Sequence, residues 1–144
     1  GLTRKGPFLS ATVKGIISIL NDYIKNWQGK IIAVVGATGE VGSEMTWALK
    51  RKGLRPLEIS RQSDNFNELK NAQIIISATG QQGLIMASMI SSGVVLIYVG
   101  LGDFAEECYE KASRYTPVTG GVGPMTVVSL MENTVESYER RMVE

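Results

Sequence analysis

The 144-residue sequence contains no histidine and a single cysteine. With one cysteine no disulfide can close within the chain, and without histidine a Ser-His-Asp triad, a Cys-His pair and a zinc site are excluded. Long apolar runs are missing too. Ile31 to Val35, Ile74 to Ala78 and Val94 to Val99 are five or six residues each, far short of the roughly 20 needed to cross a bilayer as a helix. An excess of one charge sign is also absent: 15 Lys and Arg against 14 Asp and Glu leave a net +1, too little to draw nucleic acid. The segment GLTRKGPFLS at residues 1–10 has no secretory cleavage pattern, so the expected compartment is reducing and cytoplasmic.

What is present is the composition of one soluble globular domain spanning 1–144, 44% hydrophobic and 20% charged, large enough to build a core without staples. The charge is unevenly spread. Residues 1–61 hold ten Lys and Arg and four Asp and Glu, and residues 62–144 hold five and ten. A basic first half suits a phosphate-bearing ligand near the first strands; a solvated helix face at Lys50, Arg51 and Lys52 accounts for part of it equally well.

Val13, Ile16, Ile17, Leu20, Ile24 and Trp27 recur at three-and-four spacing and predict a helix over 12–27. The β-branched run Ile31 to Val35 reads as a strand buried on both faces. A glycine turn and a helix to about Leu49 follow, then strands at Leu57 to Ile59, Ile74 to Ser77 and Val94 to Val99. Short helical pieces are expected at Phe66 to Leu69 and Leu84 to Ile90, and a helical stripe at Phe104 to Ala112. Thr116 to Gly123 reads as turn, and a last helix over 124–142 opens at Pro124, a position that tolerates proline. Strands alternating with helices over short connections predict an α/β fold: a Rossmann-type, doubly wound, mainly parallel sheet with helices on both faces.

Strand, Gly36-Ala37-Thr38-Gly39-Glu40-Val41-Gly42, then helix is the arrangement in which glycines admit a pyrophosphate to the backbone and the helix N-terminus receives it. The spacing is GxxGxxG, and a glycine turn without a ligand is the bland alternative. Gly42 is expected to serve helix-to-strand packing. NAD-specific folds place a carboxylate at the tip of the second strand; here the tip carries Ser60-Arg61-Gln62-Ser63. Arg61 with Ser60 or Ser63 can bind a 2′-phosphate, which favours NADP over NAD, unless Arg61 simply points into water. Ala78-Thr79-Gly80 after the third strand and Gly100-Leu101 after the fourth lie at carboxyl ends, where open α/β sheets bind ligands. No metal is expected.

The stretch Thr116-Pro117-Val118-Thr119-Gly120-Gly121-Val122-Gly123-Pro124-Met125-Thr126, continued by Leu130-Met131-Glu132-Asn133-Thr134, closely resembles the signature of the methylenetetrahydrofolate dehydrogenase/cyclohydrolase family, with Thr119 in place of a proline. Lys14-Gly15-Ile16, Gly29-Lys30 and Ser77-Ala78-Thr79-Gly80-Gln81 match that family as well. The resemblance covers essentially all 144 residues and corresponds to the family's C-terminal NADP-binding domain. It implies hydride transfer from 5,10-methylenetetrahydrofolate to NADP and hydrolysis of the methenyl product, with the folate substrate held through a separate N-terminal domain or a partner chain, and a homodimer. It also implies that Thr119, Gly120, Gly121, Val122 and Gly123 border folate and nicotinamide, that Thr126 contacts the nicotinamide amide, and that Leu101 packs on the cofactor.

The family's GRS turn falls on Gly36, Ala37 and Thr38, so its arginine is absent. Its aspartate in IDVG is Tyr98, and no tyrosine here precedes a lysine by four positions, so the family's Tyr-x-x-x-Lys pair is expected outside these residues and the chain alone is expected to be inactive. A dinucleotide-binding module without catalysis, sensing NADP(H) or assembling with another subunit, is the alternative. GATGEVG followed by Ser43-Glu44-Met45 also looks like the turn of aspartate-semialdehyde dehydrogenases. Those enzymes need a histidine, which is missing, and a nucleophilic cysteine, whereas Cys108 falls on an apolar stripe.

Overall fold

The computed structural model describes residues 9–99, 102–118 and, as a strand, 131–132. Among these residues six strands form one sheet: β1 (Ile32–Val35), β2 (Leu57–Ile59), β3 (Ile74–Ser77), β4 (Val95–Val99), β5 (Arg114–Val118) and β6 (Met131–Glu132). Their spatial order is β2-β1-β3-β4-β5-β6. The first five are parallel and only β6 runs antiparallel, against β5. The chain leaves β1 for β2 on one side and returns to β3 on the other, and this reversal opens a crevice beyond the carboxyl ends of β1 and β3.

Side chains alternate across the central strands. Ile32, Val34, Ile74, Ile76 and Ile97 face one cluster, with Val13, Ile16 and Leu20 of helix α1 (Ala11–Tyr23) and Met45 and Leu49 of helix α2 (Glu40–Arg51). Ala33, Val35, Ile75, Leu96 and Tyr98 face the other, with Ile59, Leu69, Ile85, Phe104 and Cys108. The expected doubly wound, mainly parallel α/β sheet is therefore present. The helical covering is unequal: long helices pack on the first face, and on the second lie two 3₁₀ segments, Phe66–Asn71 and Ala87–Met89, with the five-residue helix α3 (Glu107–Lys111).

α1 begins where Ser10 Oγ accepts the Val13 N–H at 3.3 Å, a serine cap. It stops at Tyr23, short of the expected Trp27, because Asn26 turns left-handed at φ 58° and Trp27–Gly29 forms a 3₁₀ turn. Ser10 N–H also donates to the buried Glu44 carboxylate of α2, tying the two helices together.

Four elements differ from the sequence expectation. Only Ala87–Met89 of the Leu84 to Ile90 piece is helical, because Ile85 spends its backbone elsewhere: it donates to Asp103 O at 3.0 Å and accepts from Ala105 N at 2.8 Å. The same pairing draws Phe104 into a parallel bridge with Ile85, so the Phe104 to Ala112 stripe is helical only at Glu107–Lys111. Thr116, Pro117 and Val118, expected as turn, belong to β5. Pro117 lies within β5, in register with Tyr98 of the parallel neighbour β4. Met131 and Glu132, expected inside the helix over 124–142, pair with Tyr115 and Arg114 as β6; satisfying the β5 edge outweighs a helical spacing of apolar residues. The rest of 124–142 lies outside the described residues.

The closeness of α2 to the end of β1 is set by Gly42, where a Cβ would lie 1.9 Å from Gly36 O and 2.6 Å from Gly36 C. Those are backbone atoms and cannot swing aside, so Gly42→Ala is expected to cost roughly 1–3 kcal/mol, as overpacking does. Urea denaturation measures it, and an unchanged midpoint would contradict the packing. Cys108 is buried, with its Sγ donating to Ile85 O at 3.3 Å. Burial, helped by the charge of Glu107, pushes its thiol up to about 11, so at pH 8 it is protonated and inert. Iodoacetamide at pH 8 should alkylate the native chain on the order of 100-fold more slowly than the urea-unfolded one; equal rates would disprove the burial.

Candidate functional site

Three turns meet beyond the carboxyl ends of β1, β2 and β3. The first is the glycine turn. Gly36 takes φ 84°, a left-handed conformation that glycine adopts without strain. Its N–H donates to Ile59 O at 2.9 Å and that of Ala37 to the same oxygen at 3.3 Å, hanging the turn on the end of β2. Gly39 N–H closes the turn onto Gly36 O at 2.9 Å, and Ser43 N–H to Gly39 O at 2.8 Å begins α2. Gly39 caps α2 without a side-chain hydrogen bond, so the first-turn N–H groups have no side chain competing for them, as an anion site requires.

The second turn follows β2. Buried Ser60 donates through Oγ to Ser63 Oγ at 3.0 Å and accepts the Ser63 N–H at 3.2 Å. Asp64 N–H closes onto Ser60 O at 3.1 Å. The exposed Arg61 is carried on this loop. Glu58, within β2, is held by Lys50 of α2 at 2.8 Å, and the exposed Asp64 closes the loop that carries Arg61. Both partners of the Lys50–Glu58 pair are exposed, so it is worth at most about 1 kcal/mol.

The third turn follows β3. Ala78 N–H donates to Val35 O at 3.1 Å, and a Cβ on Gly36 would lie 3.1 Å from both Ala78 O and Thr79 Cγ2. The turns are in near contact, and glycine leaves the space between them open.

Together they enclose a cleft of about 220 Å³ lined by Gly36, Thr38, Gly39, Ser60, Arg61, Ala78 and Thr79, joined by Gln62, Phe66, Gln81 and Leu84. It is smaller than the roughly 300–1,000 Å³ that holds a whole drug-sized ligand, so it suits one part of a dinucleotide. Arg61 is the one charged side chain among those lining residues. Of the remaining sequence candidates, Ala37 is buried in the core and is not among the residues lining this cleft, Val41 packs partly against the same core, and Gly80 sits in the β3 turn at φ 69° outside the lining. Gly100, Leu101, Thr119, Gly120, Gly121, Val122, Gly123 and Thr126 lie outside the described residues.

Tyr98 is buried in an aromatic cluster on the second face, 5.8 Å edge-on from Phe104 and 5.7 Å from Tyr109. Burial raises its phenol above the ordinary range, only partly offset by a hydrogen bond with Tyr109. Sequence reasoning missed Gln62, Phe66 and Leu84 as lining groups, and it missed Asp103, a buried carboxylate at the back of the β3 turn. Nothing in hydropathy marks a lone aspartate between Gly102 and Phe104 as buried. A larger groove of about 560 Å³ lies between α1 and α2, lined by Lys14, Ile17, Trp47 and Arg51 among others, and it includes none of the glycine-turn residues. Among the described residues no cluster of His, Cys, Asp and Glu is placed to hold a metal ion, and no helix is long and apolar enough to cross a membrane.

The family model for the tetrahydrofolate dehydrogenase/cyclohydrolase NAD(P)-binding domain matches residues 10–142. The bifunctional protein FolD of Metamycoplasma arthritidis is 38% identical over 143 residues, covering 92% of this chain and 48% of that protein. The FolD of Nitrosomonas europaea is 35% identical, covering 96% and 51%. Among solved structures, the bifunctional FolD methylenetetrahydrofolate dehydrogenase/cyclohydrolase of Campylobacter jejuni superimposes with a TM-score of 0.71 at 30% identity, covering 97% of this chain and 54% of its own. The chain thus spans about half the length of the relatives it matches. A glycine turn at the strand reversal and a match over 10–142 give one answer: the chain belongs to the tetrahydrofolate dehydrogenase/cyclohydrolase family, as its NAD(P)-binding domain.

Proposed function

We propose that this chain is the cofactor-holding half of a methylenetetrahydrofolate dehydrogenase/cyclohydrolase and that its strand-edge cleft prefers NADP to NAD. The observation that carries the preference is the tip of β2: Arg61 is the one charged residue lining the cleft, and Glu58 is drawn off by Lys50. The position that holds an arginine in the family's GRS pattern is here the core residue Ala37, so Arg61 takes over the phosphate, with Ser60 and Ser63 beside it.

The residues present fit a dinucleotide. Gly36 leaves the backbone open where a side chain would meet the β3 turn, and the start of α2, capped by Gly39 without a side-chain hydrogen bond, offers N–H donors to the pyrophosphate. Bound there, the dinucleotide supplies a hydride acceptor. The chain's part is to bind and orient it: Thr38 and Gly39 at the phosphates, Ser60 and Arg61 at the ribose phosphate, Ala78 and Thr79 along the opposite wall. Gly100, Leu101 and Thr126 would continue the track toward the nicotinamide, and Thr119 to Gly123 would border the folate.

The folate substrate reaches these groups through the other half of a longer protein or a partner chain, which supplies the Tyr-x-x-x-Lys pair. The 144 residues alone bind cofactor without turning over substrate. A homodimer, a cytoplasmic setting and no role for nucleic acid complete this reading. The second reading, a module that senses NADP(H) without catalysis, is favoured by Tyr98 standing buried where the family has an aspartate. The coding sequence upstream decides between them: a folate-binding half with a Tyr-x-x-x-Lys pair supports the enzyme, and a start codon beside Gly1 supports the module.

Calorimetric titration with NADPH and NADH tests the preference. The chain should bind NADPH more tightly, and Arg61→Ala should weaken NADPH binding about 10- to 100-fold, the worth of a charge-assisted hydrogen bond, while changing NADH binding little. The preference should shrink as salt is raised. Equal affinity of Arg61→Ala and the parent chain for NADPH would remove Arg61 from the site.

A further inference from the structure

Asp103 is fully buried, four residues beyond the end of β4, and its Oδ2 gathers three donors. Ser77 Oγ donates at 2.7 Å, Thr79 N–H at 2.9 Å and Thr79 Oγ1 at 3.0 Å. Two of the three come from Thr79, the residue that forms the cleft wall facing Gly36. Thr79 Oγ1 in turn accepts the N–H of Gln81, another lining residue, at 3.0 Å. One carboxylate oxygen thus fixes the backbone and the side chain of the β3 turn.

The carboxylate is itself held in place. Asp103 O accepts the Ile85 N–H at 3.0 Å, Ala105 N–H donates to Ile85 O at 2.8 Å, and Gly83 N–H donates to Gly102 O. The next residue, Phe104, bridges to Ile85 and lodges its ring beside Tyr98 and Tyr109. Burying a carboxylate is unfavourable unless hydrogen bonds replace its hydration; the three donors serve Oδ2, and Oδ1 is buried with no hydrogen-bond partner among the described residues.

We propose that Asp103 is a positioning residue for the cofactor: through Thr79 it sets the distance between the β3 turn and the glycine turn, and so the width of the cleft. It touches no ligand and acts through the wall. This inference rests on the cofactor reading above and deepens it by naming what holds the second wall.

Its test is calorimetric titration of the 144-residue chain with NADPH and with NADH, using Thr79→Val, Thr79→Ser, Asp103→Asn and the Thr79→Val/Asp103→Asn pair, each checked for a cooperative melt. Thr79→Val removes a donor while keeping the shape, and Thr79→Ser keeps the donor. The expected result is about a tenfold loss for Thr79→Val and for Asp103→Asn, equal for the two dinucleotides, with Thr79→Ser close to the parent chain. The double variant should lose no more than either single one, because all three relax the same wall. The equal loss separates this role from a phosphate contact, which would weaken NADPH alone. If the parent chain binds and both single variants bind as well as it does, or if their losses add fully in the double variant, the positioning role is overturned. If the parent chain binds neither dinucleotide, the cofactor reading fails and this inference with it.

Discussion

The approach of α2 to the end of β1 is the constraint on which the rest depends. Gly36 O occupies the place a side chain on Gly42 would need, 1.9 Å from where its Cβ would lie, so helix and strand can be joined this closely only with glycine at position 42. The tight joint has two consequences. It buries Met45 and Leu49 against Val34 and Ile76, completing the first core. It also aims the start of α2 at the crevice where the sheet reverses direction between β1 and β3. Packing and ligand geometry are here one requirement.

Around that joint the site is built from chain ends rather than from long side chains. The glycine turn hangs from Ile59 O, the β3 turn from Val35 O, and the β2 turn closes on Ser60. Each hydrogen bond that ends a strand also places a wall of the cleft. Charge is sparse by comparison. Arg61 lines the cleft, Glu58 is paired with Lys50, and Asp103 takes the Ser77 and Thr79 donors. A site so arranged has its one charged lining residue, Arg61, at one end and is otherwise neutral.

Much of this was legible in the sequence, for physical reasons. β1, β3 and β4 are short β-branched runs buried on both faces, and such runs read clearly because both faces demand apolar residues. The glycine turn is readable because Gly36 takes φ 84° and a Cβ on Gly42 would overlap Gly36 O. Pieces whose structure is decided by distant partners were not. Leu84 to Ile90 has the composition of a helix, but Ile85 is claimed by Asp103 and Ala105. Pro117 suggests a turn, and the pairing of β5 with β4 along Arg114 to Val118 keeps it in a strand. Met131 kept helical spacing and became part of an edge strand. Asp103 is the sharpest case: its burial follows from Ser77, Thr79 and the Ile85 bridge, all remote in sequence, so no local signal carries it. Ala37, expected as a cofactor contact, has its side chain in the core and its N–H on Ile59 O.

The central claim is that a dinucleotide lies across the strand tips, between the glycine turn and the β3 turn. Amide chemical-shift mapping of the ¹⁵N-labelled chain during an NADPH titration tests it most directly. The account predicts shifts concentrated at Gly36, Thr38, Gly39, Arg61 and Thr79, with Lys14, Ile17, Trp47 and Arg51 of the groove between α1 and α2 unmoved. Shifts confined to that groove, or scattered without a centre at the glycine turn, would contradict it.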